Sequence, residues 1–188
     1  SILNEIPDTS NKESTNDIIR VLYESDLFSD VQVKLLDNKY LIIVEEYPNI
    51  NRLYFKNNER LKDEDFELIA SQLNFTKSNK SSINLFIKEI KNTYQSFGFN
   101  NIQIDYSEKK YPETNTVDLN FDINEGKITK INKIIINSNN FILDEDIRAI
   151  IKSKTKTIKN IFANNNYKPN VLARDKFLII NYFRDYGY

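Results

Sequence analysis

One segment of this chain recurs, and the recurrence limits the fold to a string of similar small units. Ile19 to Val33 (IRVLYESDLFSDVQV) aligns without a gap with Ile90 to Ile104 (IKNTYQSFGFNNIQI). A third copy runs from Ile179 to Tyr188 and reaches the same glycine-aromatic ending at Gly187 and Tyr188. Each copy carries the same physical instruction. In the middle one, Ile83, Phe86, Ile87, Ile90, Tyr94 and Phe97 recur at helical spacing and make one apolar face. Gly98 and Gly187 stand where a helix closes on a left-handed residue, and alternation at Ile102, Ile104 and Tyr106 then announces a strand.

A second repeat precedes that helix. Leu53 to Glu64 matches Ile134 to Glu145, and both read as a short strand, an Asn-rich turn and a helix opened by acids. Two further strands, Tyr40 to Glu46 and Val117 to Glu125, each end on a glutamate before Pro48 or Gly126. The assembled order is β-α-α-β-β, an α+β unit with a three-stranded mixed sheet covered on one face by two helices. Residues 49–126 hold one complete module. Residues 1–48 hold the latter part of another, with the end of a first helix at Ser1 to Ile6 and the first strand missing. Residues 127–188 hold the front of a third, with the last two strands missing and a longer loop from about Lys152 to Asn170. The open sheet edges of these partial modules predict a strand-exchanged dimer, which sedimentation at high concentration would detect. The short junctions at Glu46 to Asn49 and Glu125 to Lys127 predict limited hinge motion.

Composition removes much chemistry. With no His and no Cys there is no Cys/His zinc site, no imidazole-activated nucleophile and no disulfide. A net charge of -1 supplies no field for a polyanion, so nucleic acid is not an expected partner. No apolar run is long enough for a membrane-spanning helix. The chain begins at Ser1 without a signal-peptide pattern, so any address has been removed or lies outside this sequence.

The remaining candidate sites have plain structural readings. Asp118, Asn120, Asp122 and Asn124 have calcium-loop spacing, but Val117, Leu119, Phe121 and Ile123 alternate with them, which puts the polar set on the solvent face of a strand. Asp63 to Asp65 and Asp144 to Asp146 complement helix N-termini and have no convergent catalytic partners. Lys152, Lys154, Lys156 and Lys159 read as a solvated loop, and Phe86, Tyr94, Phe97 and Phe99 as core. No catalytic residue, cofactor or metal is expected. What remains is backbone: a three-stranded sheet covered on one face has two edges of unpaired N–H and C=O groups, which can accept an added strand.

The β-α-α-β-β order, the strand-turn-acid openings (Phe55 to Glu64, Ile136 to Glu145), the helix endings (Tyr94 to Phe99, Phe183 to Tyr188) and the glutamate junctions (Glu46 to Pro48, Glu125 to Gly126) resemble POTRA domains. These are the polypeptide-transport-associated repeats of the BamA family of outer-membrane assembly factors. The likeness covers nearly the whole chain and is strongest to the end of a first, the whole of a second and the front of a third repeat. Departures are Ser138-Asn139 in a turn where the family often has Gly-Asn, which predicts a shifted turn, and Asp26-Leu27 in place of aromatic-Gly.

The resemblance implies a periplasmic, non-enzymatic region that binds unfolded outer-membrane proteins by β-augmentation, docks accessory lipoproteins and precedes a C-terminal β-barrel of the parent chain. It places the strand Asn101, Ile102, Gln103, Ile104, Asp105, Tyr106 and Ser107 at the sheet edge, with Val117 to Asn124 inside. Lys88, Lys91 and Asn92 would line the neighbouring groove for client side chains. Two-partner secretion, autotransporter assembly and a purely architectural scaffold are the alternatives that the same resemblance leaves open.

Overall fold

A computed structural model describes residues 12–36, 39–136, 144–158 and 163–187. The expected helix at Ser1 to Ile6, the turn at Ser138-Asn139, and Lys159 lie outside the described residues. Packing divides the chain into two compact units, each discontinuous in sequence. The first comprises the chain through Lys56 with Leu61–Lys88 and Asp105–Asp122; the second comprises Asn57–Arg60, Glu89–Ile104 and Ile123–Tyr188.

The first unit opens with helix α1 (Lys12–Glu24), followed by strands β1 (Phe28–Leu36) and β2 (Lys39–Glu46) in an antiparallel hairpin. Ile18 and Leu22 of α1 bury themselves with Val31 of β1, flanked by Val33, Tyr40 and Ile42. The helix closes at Asp26, whose φ of 57° takes the left-handed role one position before the site that glycine fills in the next copy. The second sheet has the order β3-β5-β4, built from β3 (Asn49–Lys56), β4 (Gln103–Tyr111) and β5 (Thr116–Asn124). β3 runs parallel to β5, with Leu53 opposite Leu119 and Phe55 opposite Phe121. β4 and β5 form a hairpin closed by a short 3₁₀ turn at Pro112–Thr114 and left-handed Asn115.

Helices α2 (Asp63–Gln72) and α3 (Lys80–Phe97) supply the apolar cover. The opening acids act as expected: Asp65 accepts the Lys62 backbone N–H at 2.9 Å and closes the first turn of α2. Phe55 packs on Phe66 and Phe121, and Phe86 packs on Phe75 and meets Phe121 edge-on, with ring centroids 4.4 to 5.6 Å apart. Alternation in β5 puts Val117, Leu119, Phe121 and Ile123 under this cover.

One expectation is corrected on the opposite face. Asp118 belongs to the outer side of β5, yet it is only 6% exposed. Asn51 Nδ2 and the Tyr111 hydroxyl both donate to its carboxylate at 2.8 Å. The Asn51 hydrogen bond first, then that of Tyr111 and the charges of Arg52 and Lys109, hold its pKa below the ordinary carboxylate value against the effect of burial.

In the second unit, α4 (Asp144–Ile150) and α5 (Pro169–Asp185) pack through Ile147, Ile151, Ile179 and Phe183. The expected strand at Ile134 to Ile136 forms no ladder. In the middle sheet the equivalent residues, Leu53 to Phe55, draw their hydrogen bonds from β5, and the described residues after Gly126 include no strand that could do the same. A short antiparallel bridge, Lys130 with Asn166, is the pairing described there. It repeats the bridge of Asn49 with Lys77, so in both places the segment before the second helix folds back onto the start of the first strand.

The end of α3 is anchored in this unit. Gly98, at φ 101°, offers its carbonyl to the Thr129 N–H at 2.9 Å. A Cβ at this position would lie 3.2 Å from both Asn166 Cβ and Ile128 Cγ2. Gly98→Ala is therefore expected to destabilise the chain by about 1–2 kcal/mol, from strain at positive φ with no space to relieve it. Urea unfolding checks this; an unchanged midpoint would contradict it.

Candidate functional site

The sheet edge is the feature best suited to a task performed without catalytic side chains. β5 occupies the centre, so β3 and β4 are the edges. They differ. The outer side of β3 is already occupied at its start: Ile50 N–H donates to the Thr76 carbonyl at 2.8 Å and Ser78 N–H to the Pro48 carbonyl at 2.9 Å. Among the described residues β5 is the only strand beside β4, which leaves the N–H and C=O groups of alternate residues of a nine-residue strand facing away from it.

The strand departs from its expected limits. Asn101 and Ile102 precede β4, in the turn that follows Gly98, and β4 continues past Ser107 to Tyr111. Gln103, Ile104, Asp105, Tyr106 and Ser107 lie on it. Ile102 and Ile104 are buried, whereas Tyr106 is half in solvent with its ring 6.1 Å from that of Phe121. Asp105, Tyr106 and Ser107 border an open hollow of about 210 Å³ that also takes in Lys56 and Asp122. The last turn of the edge carries Lys109 and Lys110; Lys109 Nζ sits 5.3 Å from the Tyr111 ring centroid and Lys110 pairs with Glu108 at 3.6 Å. Charged side chains at this end blunt the edge, so residues 103–107 form its more permissive part.

The expected groove residues are on α3. Lys88 and Asn92 are exposed and Lys91 is half-buried. Asn92 Nδ2 donates to the Glu89 carboxylate at 3.2 Å. No described hydrogen bond or ring contact joins these three to β4. Sequence reading missed Tyr111, which terminates the edge and reaches Asp118. The signal for it was weak, because Ser107 to Lys110 carry no apolar period.

The glutamate junctions are polar anchors. Glu46 pairs with Lys77 at 2.8 Å, and Tyr47 N–H donates to the Leu27 carbonyl at 3.0 Å. Glu125 accepts from the Tyr94 hydroxyl and from the Arg60 N–H, each at 2.7 Å, while the Arg60 guanidinium lies 4.0 Å from the Phe97 ring centroid.

Residues 48–126 match the sequence profile of the POTRA family, described as surface antigen variable number repeat. This stretch of the chain is similar to a POTRA domain. The likeness extends further. The chain is 26% identical to the outer membrane protein assembly factor BamA of Neisseria meningitidis serogroup B, covering 98% of this chain and 24% of that protein. It is 24% identical to BamA of Buchnera aphidicola, over 97% of this chain and 30% of the relative. The chain thus spans less than a third of the length of either relative. Among solved structures, the fold is similar to POTRA domains 3–5 of Haemophilus influenzae BamA, with a TM-score of 0.50 and 12% identity over 93% of this chain and 72% of the other. The N-terminal domain of Omp85 from Thermosynechococcus elongatus gives a TM-score of 0.50 and 14% identity over 95% of this chain and 78% of that one. The expected α+β POTRA architecture, with its three-stranded mixed sheet, is the one found.

Proposed function

We propose that this chain is the periplasmic POTRA region of a BamA-like outer-membrane β-barrel assembly factor, and that it receives unfolded outer-membrane proteins as an added strand along β4. The observation that carries this reading is the inequality of the two sheet edges: β3 is partly blocked by residues 76–78, whereas among the described residues β4 has a neighbouring strand on one side only. Main-chain pairing suits a client that must be recognised whatever its sequence and then released, because every client offers the same backbone. It needs no catalytic group. On this reading the modules are residues 1–48, 49–126 and 127–188, accessory lipoproteins dock on the same region, and a β-barrel belongs to the parent chain. Lys88, Lys91 and Asn92 of α3 take client side chains beside the edge.

The absence of cysteine makes a direct test available. Single variants Asp105→Cys and Ser107→Cys are incubated with an extended barrel-strand peptide carrying one cysteine at successive positions. Paired strands bring opposite residues within disulfide reach, so crosslinking is expected at alternate peptide positions for β4. The same peptides with Asn49→Cys, at the blocked start of β3, are expected to crosslink far less. Equal yields at both edges, or yields that do not depend on peptide position, would overturn the β4 assignment.

A further inference from the structure

The net charge of -1 conceals a division along the chain. Residues 1–126 carry 22 acidic and 14 basic side chains, whereas residues 127–188 carry 5 acidic and 12 basic, nine of them lysines. The second unit gathers part of this charge. Lys133, Ile135, Ser153 and Lys176 line one hollow of about 420 Å³. The segment leaving α4 is pinned beside it, because Asp175 accepts the Lys152 and Ser153 N–H groups and Lys154 Nζ donates to the Arg148 carbonyl at 3.0 Å. Lys133, Lys152, Lys156 and Lys176 are exposed and Lys154 is half-buried; among the described residues no ion pair engages any of the five. The acids of this region stand apart. Asp144, Glu145 and Asp146 open α4 at the end away from Lys152, and Asp175 is buried. Asp185 lies nine residues beyond Lys176 along α5, about 13 Å of helix. The two most exposed large apolar side chains among the described residues, Ile158 at 98% and Ile135 at 68%, belong to the same basic region. Ile158 follows Lys156 by two residues.

We propose that this lysine cluster, with Ile158 as its apolar tip, is a docking surface for the headgroup layer of an anionic phospholipid bilayer. Both halves of the pattern have a role there. Lysines brought close to an anionic bilayer are drawn by its negative surface potential, and they need no fixed geometry to respond to it. An isoleucine held in water gains by entering the boundary between headgroups and acyl chains. A folded protein is a poorer match, because lysine is depleted in protein interfaces and a lone apolar side chain among lysines does not make their apolar centre. A nucleic acid would engage the lysines and leave Ile158 in water. The surface does not depend on client capture along β4.

The chain has no tryptophan, so Ile158→Trp reports on the tip directly. Vesicles of phosphatidylcholine and phosphatidylglycerol at about seven to three are expected to carry the chain down on sedimentation and to shift the emission of this variant to the blue, while pure phosphatidylcholine vesicles do neither. Lys152→Gln, Lys154→Gln and Lys156→Gln are each expected to weaken binding about fivefold. Raising salt from about 0.05 M to about 0.5 M should weaken it about tenfold or more. Ile158→Asn, at a fully exposed position, should weaken binding about tenfold and leave the salt dependence unchanged. Should a lysine variant prove unstable, the salt dependence of the unaltered chain and the emission of Ile158→Trp still decide. The proposal is overturned by failure to bind the anionic vesicles, by equal binding to both kinds of vesicle, or by binding that ignores the lysine variants. It is equally overturned if the emission stays in place while vesicles bind, or if a duplex oligonucleotide or polyglutamate binds more tightly than the anionic vesicles.

Discussion

Phe86→Ala is expected to cost about 3–5 kcal/mol, a large part of the roughly 5–15 kcal/mol that holds a domain folded. Phe86 is fully buried where α3 crosses the sheet, and its ring is shared between Phe75 and Phe121. Truncation removes the ring's apolar surface from the core and leaves a cavity bounded by Phe75, Phe121 and, 6.3 Å away, Phe55, which cannot collapse without moving a strand. Phe86→Leu keeps most of the volume and should recover much of the loss. The exposed Leu68 provides a control, and Leu68→Ala should stay within about 0.5 kcal/mol of the parent. Urea denaturation followed by circular dichroism reads all three. A loss below about 1 kcal/mol for Phe86→Ala would mean that the middle sheet does not depend on this cluster.

Asp175 carries the second large effect. Aligning Ile90 with Ile179 and Tyr94 with Phe183 puts it where Phe86 stands in the middle module, and it is only 3% exposed. Its carboxylate accepts the Lys152 N–H at 2.6 Å and the Ser153 N–H at 2.9 Å, so it holds the segment that leaves α4. Burial works to raise its pKa, but the Ser153 hydroxyl and the two backbone donors outweigh that and leave it below the ordinary carboxylate value. Asp175→Ala is expected to cost about 1–3 kcal/mol, because it leaves two partly buried backbone donors without the charge they now bind. A depressed carboxylate stabilises the fold fully above its unfolded pKa of about 3.9, and that contribution disappears as pH falls through the lower folded value. Asp175→Asn should therefore be less stable than the parent at neutral pH and should lose less stability on acidification. Parallel acid limbs for the two proteins would contradict this.

The helices and their ends were legible because each is encoded locally. Apolar spacing marked α3, acids marked the start of α2 and α4, and glycine marked the left-handed residues at Gly98 and Gly187. β5 was legible from strict alternation. What escaped depended on residues far away in sequence. The burial of Asp118 is made by Asn51, 67 positions earlier, and no local pattern announces it. The far half of β4 is a strand because β5 pairs with it, while its own sequence, Ser107 to Lys110, has no apolar rhythm. Ile134 to Ile136 show the converse: strand-like residues form no ladder where the described residues supply no partner strand. Asp175 was visible in principle, as a polar residue at the repeat position where the middle copy has Phe86. The edge residues were named from likeness to a family, and a bare backbone edge has no side-chain signature to read.

The most direct measurement is an NMR titration of the isotope-labelled chain with an extended peptide from an outer-membrane barrel strand. Pairing along β4 should shift the amides of Gln103 to Ser107 and slow their exchange with solvent, with smaller shifts at Lys88, Lys91 and Asn92 and none at Asn49 to Ile50. Absence of shifts up to about 1 mM peptide, or shifts centred on β3 instead, would contradict client capture at this edge.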